Sequence, residues 1–438
     1  MKNLYKFLAA LGFVLFIFVI AIAHPKTTPD VVISKGTTTI SGITVTPPPF
    51  TKTPSPTLTP SSEKPLSPCT FPLSETVTAD EGGSDLQRYV FSAPHVVLTH
   101  ASAIEIAGWL PDSQQLLITK EIPGTNRQAI EIFDTRTRRE VVYAESASLI
   151  GPPAWLASQE SVVFIDHAME EGDVLRLSHK PGAPINTLQT HLASSYLAVD
   201  PAGEKVAFLL QGQEARPAVM DSLGQDIRLY TVELPLSSMR TGESIYHAAW
   251  RPRGNEVVFY NDSGLYLLDT VSGKACQIAL GLAEFGERGL RWAYLAKWSP
   301  NGRYLAMITT SGRFPLEFSE LTILDTMTGN LRTIQPERRL LSGKHYILDI
   351  DWAPDSTAIA ARVAIAMKEG VIYDALYVIS PRSAQQIRQL PEQTFTGASA
   401  GLSLAWSPDG KYLALNCPTR DEGRLCRIDV TKQGEGPR

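Results

Sequence analysis

Seven times along this chain a strand-like apolar run ends in an aromatic or apolar residue, turns tightly and starts again. The sharpest copies are Trp298–Met307 (WSPNGRYLAM) and Trp406–Leu415 (WSPDGKYLAL). Looser copies begin at Trp109, Trp155, Val199, Trp250 and Trp352, so successive spacings are 46, 44, 51, 48, 54 and 54 residues. A repeat of that length constrains the fold more than any other feature here. Each copy is one supersecondary unit that cannot bury its apolar faces alone, and stacking on its neighbours supplies the core.

Within a copy the chemistry of the turn is explicit. Pro presets the backbone for a tight reversal, Asn or Asp bonds back to it, and Gly accepts positive φ. Pro also lacks the donor that a central strand needs, so it belongs in the turn. A third strand recurs as Leu265–Gly273 (LYLLDTVSG) and Leu321–Gly329 (LTILDTMTG), and more loosely as Ala129–Arg138. Its Asp-Thr-x-Ser/Thr-Gly end is a second turn of the same kind. A poorer fourth strand comes next, as at Ala275–Ala279 and Leu331–Ile334. Each copy thus reads as a four-stranded antiparallel meander, with the Trp as a seam side chain. The expected fold is all-β, a propeller of about seven blades.

The Trp-Ser-Pro-Asp/Asn-Gly turns resemble those of the TolB-type, WD-repeat-like β-propeller family, over about 345 residues. The match is strong at Trp298 and Trp406 and fair at Trp109, Trp250 and Trp352. It weakens at Val199–Gly203, which lacks the Trp, and at Trp155–Gln159, which lacks both Pro and Gly. The resemblance implies a propeller that docks a partner. The second small α/β domain expected in that family is not visible before residue 85.

After Trp406 there is room for strands near Tyr412–Asn416 and Arg424–Val430 and then only a polar tail, 431–438, so the last blade is one strand short. The runs Gln87–Ser92 and Val96–Thr99 precede the first blade, and one of them is expected to clasp the last blade within a propeller spanning 85–430.

Residues 1–23 differ in kind. Lys2 and Lys6 precede an uncharged apolar run, Phe7–Ala23, ending Ala-Ile-Ala. This reads as a secretory signal peptide or a membrane anchor, and both place the rest of the chain outside the cytoplasm. From 24 to 84, Thr, Ser and Pro make up 33 of 61 residues, a composition too poor in apolar side chains to offset the entropy of ordering. It reads as a disordered stalk. Four cysteines in an oxidising compartment invite pairing. Cys417 and Cys426 flank a hairpin-like segment and form the favoured disulfide, and Cys69 with Cys276 is a second candidate.

A net charge of −5 without a basic stripe argues against a nucleic-acid partner. Gly397–Gly401 matches G-x-S-x-G, but it lies before a first strand and no His comes after His345, so a hydrolase triad in its usual order is excluded. Asp166–Asp173 gathers carboxylates around His167 as a hairpin loop, with no calcium-loop spacing. No metal site or cofactor is expected. Propellers bind partners at the mouth of the central channel, through loops entering the innermost strands. The candidates are Arg288, Arg291 and Trp292, then Arg338, Arg339, His345 and Tyr346, then Tyr246 and His247. These residue types are enriched in hot spots, and the first two groups suit an acidic partner or an anionic polymer. The reading is therefore a non-catalytic extracytoplasmic binding or scaffold module at the cell envelope. The alternatives are a propeller lyase acting on acidic polysaccharide and an inactive peptidase-associated propeller.

Overall fold

The structure, a computed structural model, describes residues 66–73, 86–168, 171–193, 196–211, 215–232, 234, 247–261, 264–280, 292–310, 319–334, 344–366, 372–383, 387–396, 403–417 and 422–433. After a 3-10 turn (Leu86–Arg88) come β1 (Tyr89–Phe91) and β2 (His95–His100). The first repeat holds β3 (Ile104–Trp109), β4 (Gln115–Glu121), β5 (Gln128–Asp134) and β6 (Glu140–Ser146). The second holds β7 (Leu149–Leu156), β8 (Ser161–Ala168), β9 (Gly172–Ser178) and β10 (Asn186–Leu192). The third holds β11 (Ala198–Val199), β12 (Lys205–Leu210), β13 (Arg216–Asp221) and β14 (Ile227–Leu229). The fourth holds β15 (His247–Trp250), β16 (Glu256–Asn261), β17 (Gly264–Asp269) and β18 (Ala275–Ile278). The fifth holds β19 (Trp292–Trp298), β20 (Tyr304–Thr310), β21 (Glu320–Asp325) and β22 (Leu331–Ile334). The sixth holds β23 (Lys344–Trp352), β24 (Ile359–Ala366), β25 (Ile372–Ile379) and β26 (Ile387–Thr396). The seventh holds β27 (Leu404–Trp406), β28 (Tyr412–Asn416) and β29 (Gly423–Lys432).

All strand pairings in the described sheets are antiparallel, and the four-stranded sheets are meanders of consecutive strands, in a propeller arrangement. Seven separate four-stranded sheets are expected from the sequence, and the described residues instead form six. Four have four strands and one has five, so five are the size of a single blade, and the sixth has eight. That eight-stranded sheet contains the second and third repeats, joined where Leu192 of β10 meets Leu210 of β12. The cause is local. β11 is two residues long and covers only Val206 and Ala207 of β12. The rest of β12 is open, and β10 fills it through Ala193 N to Leu209 O (3.0 Å) and Gln211 N to His191 O (3.0 Å).

The last strand is long enough to take two partners. β1 pairs with Val430–Lys432 of β29, and β2 with Gly423–Arg427 of the same strand. The sequence reading expects one such pairing.

The first strand of each repeat contacts the first strand of the next, and β27 contacts β3. The core obeys the same cycle, in apolar clusters that each lie between successive repeats. Ile104, Leu116 and Phe133 of the first pack against Ala405, Ala414 and Leu425 of the seventh. Tyr304 and Ile323 of the fifth pack against Trp352 and Ala361 of the sixth. Side chains alternate across a strand, so each repeat serves two clusters.

Leu66–Leu73, which composition assigns to the stalk, lies against the fourth and fifth repeats. Pro68 bridges Gln277 of β18 in parallel. Cys69 N donates to Gln277 O (3.0 Å), Gln277 N to Ser67 O (2.9 Å), and Leu73 N to Thr326 O (3.1 Å). Cys69 and Cys276 are disulfide-bonded, with Cα atoms 4.9 Å apart. Phe71 and Leu73 join the cluster between these repeats. A covalent bond, backbone pairing and apolar burial together overcome the polar composition of this segment.

Asp166, His167 and Asp173, expected in a loop, are instead in strands, because β8 and β9 run to within a few residues of each other. Asp166 accepts from Ser146 Oγ (2.7 Å) and pairs with Arg176 (3.1 Å), and His167 Nδ1 lies 2.8 Å from Asp173 Oδ1. Gly397–Gly401 and the apolar run 7–23 lie outside the described residues. Among the described residues no helix is long and apolar enough to cross a membrane.

Candidate functional site: the inner seam and channel wall

An innermost strand is an edge strand. Its outward N–H groups need acceptors, and here the preceding repeat supplies them from side chains. Ile106 N donates to Ser403 Oγ (2.9 Å) and Ala296 N to Tyr260 Oη (2.8 Å). Ile347 N donates to Ser319 Oγ (2.5 Å). Leu404 N donates to Asp349 Oδ2 (2.8 Å) and Trp406 N to Asp351 Oδ2 (2.6 Å). Asp349 and Asp351 are two apart on β23, so the strand's period of two puts both on one side. There they match the two-residue spacing of the N–H groups on β27.

The same two carboxylates hold Lys297 of β19, at 3.4 and 3.5 Å. All three side chains keep some solvent contact, 31% for Lys297, although protein surrounds them. Burial pulls the Lys297 ammonium down, but the aspartates outweigh it and its pKa stands above the ordinary lysine value. Burial pushes Asp349 up, against the pull of Lys297. Across the first repeat Glu105 is likewise raised, by burial and then by Glu121.

A second group lies where β15 begins. His247 stacks on Tyr260 (centroids 5.1 Å apart, 15° between planes) and meets Tyr196 edge-on (4.2 Å, 75°). Burial lowers its pKa to about 4, so it is neutral near pH 7. Burial also raises the phenols of Tyr260 and Tyr196. Farther round, buried Arg362 donates to the Asn416 carbonyl (2.5 Å) and to Asn416 Oδ1. Asn416 Nδ2 donates in turn to Ile104 O (3.2 Å), linking the sixth, seventh and first repeats.

Of the mouth candidates, His247 is therefore enclosed by aromatic rings. Tyr346 sits in β23 opposite Ala364, half-buried. Trp292 and His345 are in β19 and β23. Tyr246, Arg288, Arg291, Arg338 and Arg339 lie outside the described residues. Cys417 and Cys426 are disulfide-bonded, Cα atoms 5.8 Å apart. The sequence reading passed over Lys297, Asp349 and Asp351. The available signal was two same-side aspartates in the otherwise apolar run Ile347–Trp352. Among the described residues no cluster of His, Cys, Asp and Glu has the geometry to hold a metal ion.

No family model matches this chain, and no curated protein does. Among solved structures it is similar to an oligogalacturonate lyase in complex with manganese, at 11% identity and a TM-score of 0.53, covering 78% of this chain and 96% of that one. It is similar to a GH74 xyloglucanase from Xanthomonas campestris at 11% identity and 0.53, covering 74% and 52%. It also matches TolB from Acinetobacter baumannii at 14% identity and 0.42, over 66% of this chain and 65% of that one, so it spans under two thirds of that protein. Likeness at these identities is a likeness of fold, and fold alone does not fix function.

Proposed function

We propose that this chain is a seven-bladed extracytoplasmic propeller that binds a protein or an anionic envelope polymer at its channel mouth and catalyses no reaction. The observation that carries the reading is the commitment of the inner polar groups. Asp349, Asp351, Tyr260, Ser403 and Ser319 each accept a backbone N–H of the next repeat, and Lys297 is held by two of them. Groups spent on joining blades are poorly placed to move protons on a substrate. The blades number seven if the eight-stranded sheet counts as two, since each repeat has its own first strand in the cycle. β1 and β2 then stand where the seventh blade lacks a strand and act as its clasp. Two disulfides support an oxidising compartment, reached through residues 1–23 as signal or anchor, with 24–65 as the stalk.

The partner would meet Arg288, Arg291, Trp292, Arg338, Arg339, His345, Tyr346, Tyr246 and His247. The test is cross-linked capture from native envelope by the full chain, beside a variant with Arg288, Arg291, Arg338 and Arg339 all changed to Ala. A partner recovered by the parent and lost by the variant supports the reading. Equal recovery by both, or turnover of an acidic polysaccharide by the purified chain with or without manganese, overturns it.

A further inference from the structure

A cleft of about 220 Å³ opens at the seam between the first and second repeats, edged by the Asp200–Gly203 turn of the third. It lies at the Trp ends of β3 and β7, the opposite ends from the proposed mouth. The chain around it, 101–168 and 196–211, falls within the described residues. Its lining is apolar and rich in rings: Trp109, Trp155, Pro111, Pro153 and Pro201, with Leu117.

Each of the two tryptophans adjoins an irregularity of its strand. The register of β3 on β4 shifts between Ile106 and Gly108, and that of β7 on β8 between Ile150 and Ala154. Such irregularities re-aim the side chains beside them. Trp109 is held by its bond to Ala405 O (2.9 Å) and stacks on Tyr412 (6.0 Å, 26°). Trp155 meets Tyr143 edge-on (5.8 Å, 80°). Among the described residues, however, its Nε1 makes no hydrogen bond, whereas the indole N–H of each of the five other turn tryptophans does. Beside Gly108 the cleft is open, and a Cβ there would meet nothing within 4 Å.

This lining is selective. The volume falls below the roughly 300 Å³ at which sites for whole small molecules begin. Asp200 Oδ1 already accepts from Glu204 N and Lys205 N (2.7 Å each). Among the lining side chains Trp155 Nε1 is the one uncommitted donor, so sugar hydroxyls or ordinary peptide N–H groups would be buried here without partners. A polyproline helix escapes that cost. Its carbonyls make no internal hydrogen bonds, its prolines carry no N–H, and it suits aromatic-lined grooves because it is ordered beforehand. This chain carries a sequence of that class, Thr46–Pro60 (TPPPFTKTPSPTLTP), six of whose fifteen residues are proline.

We infer that this cleft binds a polyproline-type segment, residues 46–60 of a second copy of this chain, one of whose carbonyls accepts from Trp155 Nε1. Every copy offers both the cleft and the segment, so the association needs no further component. The inference does not rest on the mouth reading, because it uses other residues at the other end of the strands.

The test uses the full chain, a full-length variant with the six prolines of 46–60 changed to Ser, and a labelled synthetic peptide of that segment. In fluorescence anisotropy the peptide should bind the Ser variant saturably, and a peptide with alanine for each proline should not. Trp155→Phe, made in the Ser variant, keeps a ring and loses the N–H, and should weaken binding about fivefold. Gly108→Leu fills the cleft and should abolish binding. Thermal unfolding of each variant is followed in parallel, and Gly108→Leu, which has room for its Cβ, serves where the Trp155 variant fails to fold. Val271→Ser, at an exposed position of the fourth repeat, leaves affinity unchanged. In sedimentation equilibrium the parent should self-associate as concentration rises, while the Ser variant and Gly108→Leu stay monomeric. No saturable binding of the peptide, or equal affinity with and without Gly108→Leu, overturns the site. A parent that stays monomeric while the peptide binds the Ser variant overturns the second copy as its occupant.

Discussion

Ser113 and Ser356 stand four residues after their tryptophans, where Gly203, Gly302 and Gly410 stand in other repeats. All five have positive φ, 58° and 62° for the serines. That conformation costs a residue with a Cβ about 1 kcal/mol, and a hydrogen bond returns a similar amount. Each serine makes that bond across a seam: Ser356 Oγ accepts from Asn301 N (3.0 Å), and Ser113 Oγ from Asp409 N (3.0 Å). Ser356→Ala keeps the strain and loses the bond, so it should destabilise by about 1–2 kcal/mol, whereas Ser356→Gly should be near neutral. Urea midpoints at unchanged m-value check both. At the same scale, His247 sets a pH response. Its folded pKa, about 4, lies below the ordinary 6.5, so the folded state resists its protonation. The associated stability is complete above pH 6.5 and is lost as pH falls toward 4. His247→Gln should flatten the stability–pH slope in that window, and an unchanged slope would sink the assignment.

Trp109 Nε1 donates to Ala405 O (2.9 Å), Trp298 Nε1 to Ala249 O (3.2 Å), and Trp352 Nε1 to Lys297 O (2.9 Å). Each acceptor directly precedes the corresponding Trp of the previous repeat, so these three tryptophans pin a seam, whereas Trp250 Nε1 and Trp406 Nε1 donate to Gly254 O and Gly410 O of their own turns (3.4 Å each). This much was legible in the sequence, because a turn motif and an apolar strand are local and each Trp repeats at the same place in its copy. Repeats two and three were legible only as weak, since what joins them is the shortness of β11, and two residues give no periodicity to read. For Lys297, Asp349 and Asp351 the paired aspartates were legible but their partners were not, because those partners lie on other repeats about fifty residues away, at positions that only stacking selects. At β29 both spare N-terminal runs find a place because that strand has ten residues. Deleting 86–100 should abolish the cooperative thermal transition, and an unchanged transition would mean that β29 stands without them.

For the molecule as a whole, the two disulfides close loops of very different size, with separations of 207 and 9 residues. In the chain-entropy description the longer loop is worth about 5 kcal/mol and the shorter about 2.5. Replacing Cys69 and Cys276 by Ser should therefore lower the thermal midpoint more than replacing Cys417 and Cys426, and the reverse order would show that strain or residual structure dominates.

The first of these bonds has a mechanical consequence. Tension arriving along the preceding chain meets the folded unit at Cys69, where a covalent link hands it to β18 before it can reach β1. Hydrogen-bonded strands peel apart one bond at a time under such a load. A sulfur–sulfur bond does not, so β1 and β2 are shielded from pull for as long as Cys69 and Cys276 stay oxidised.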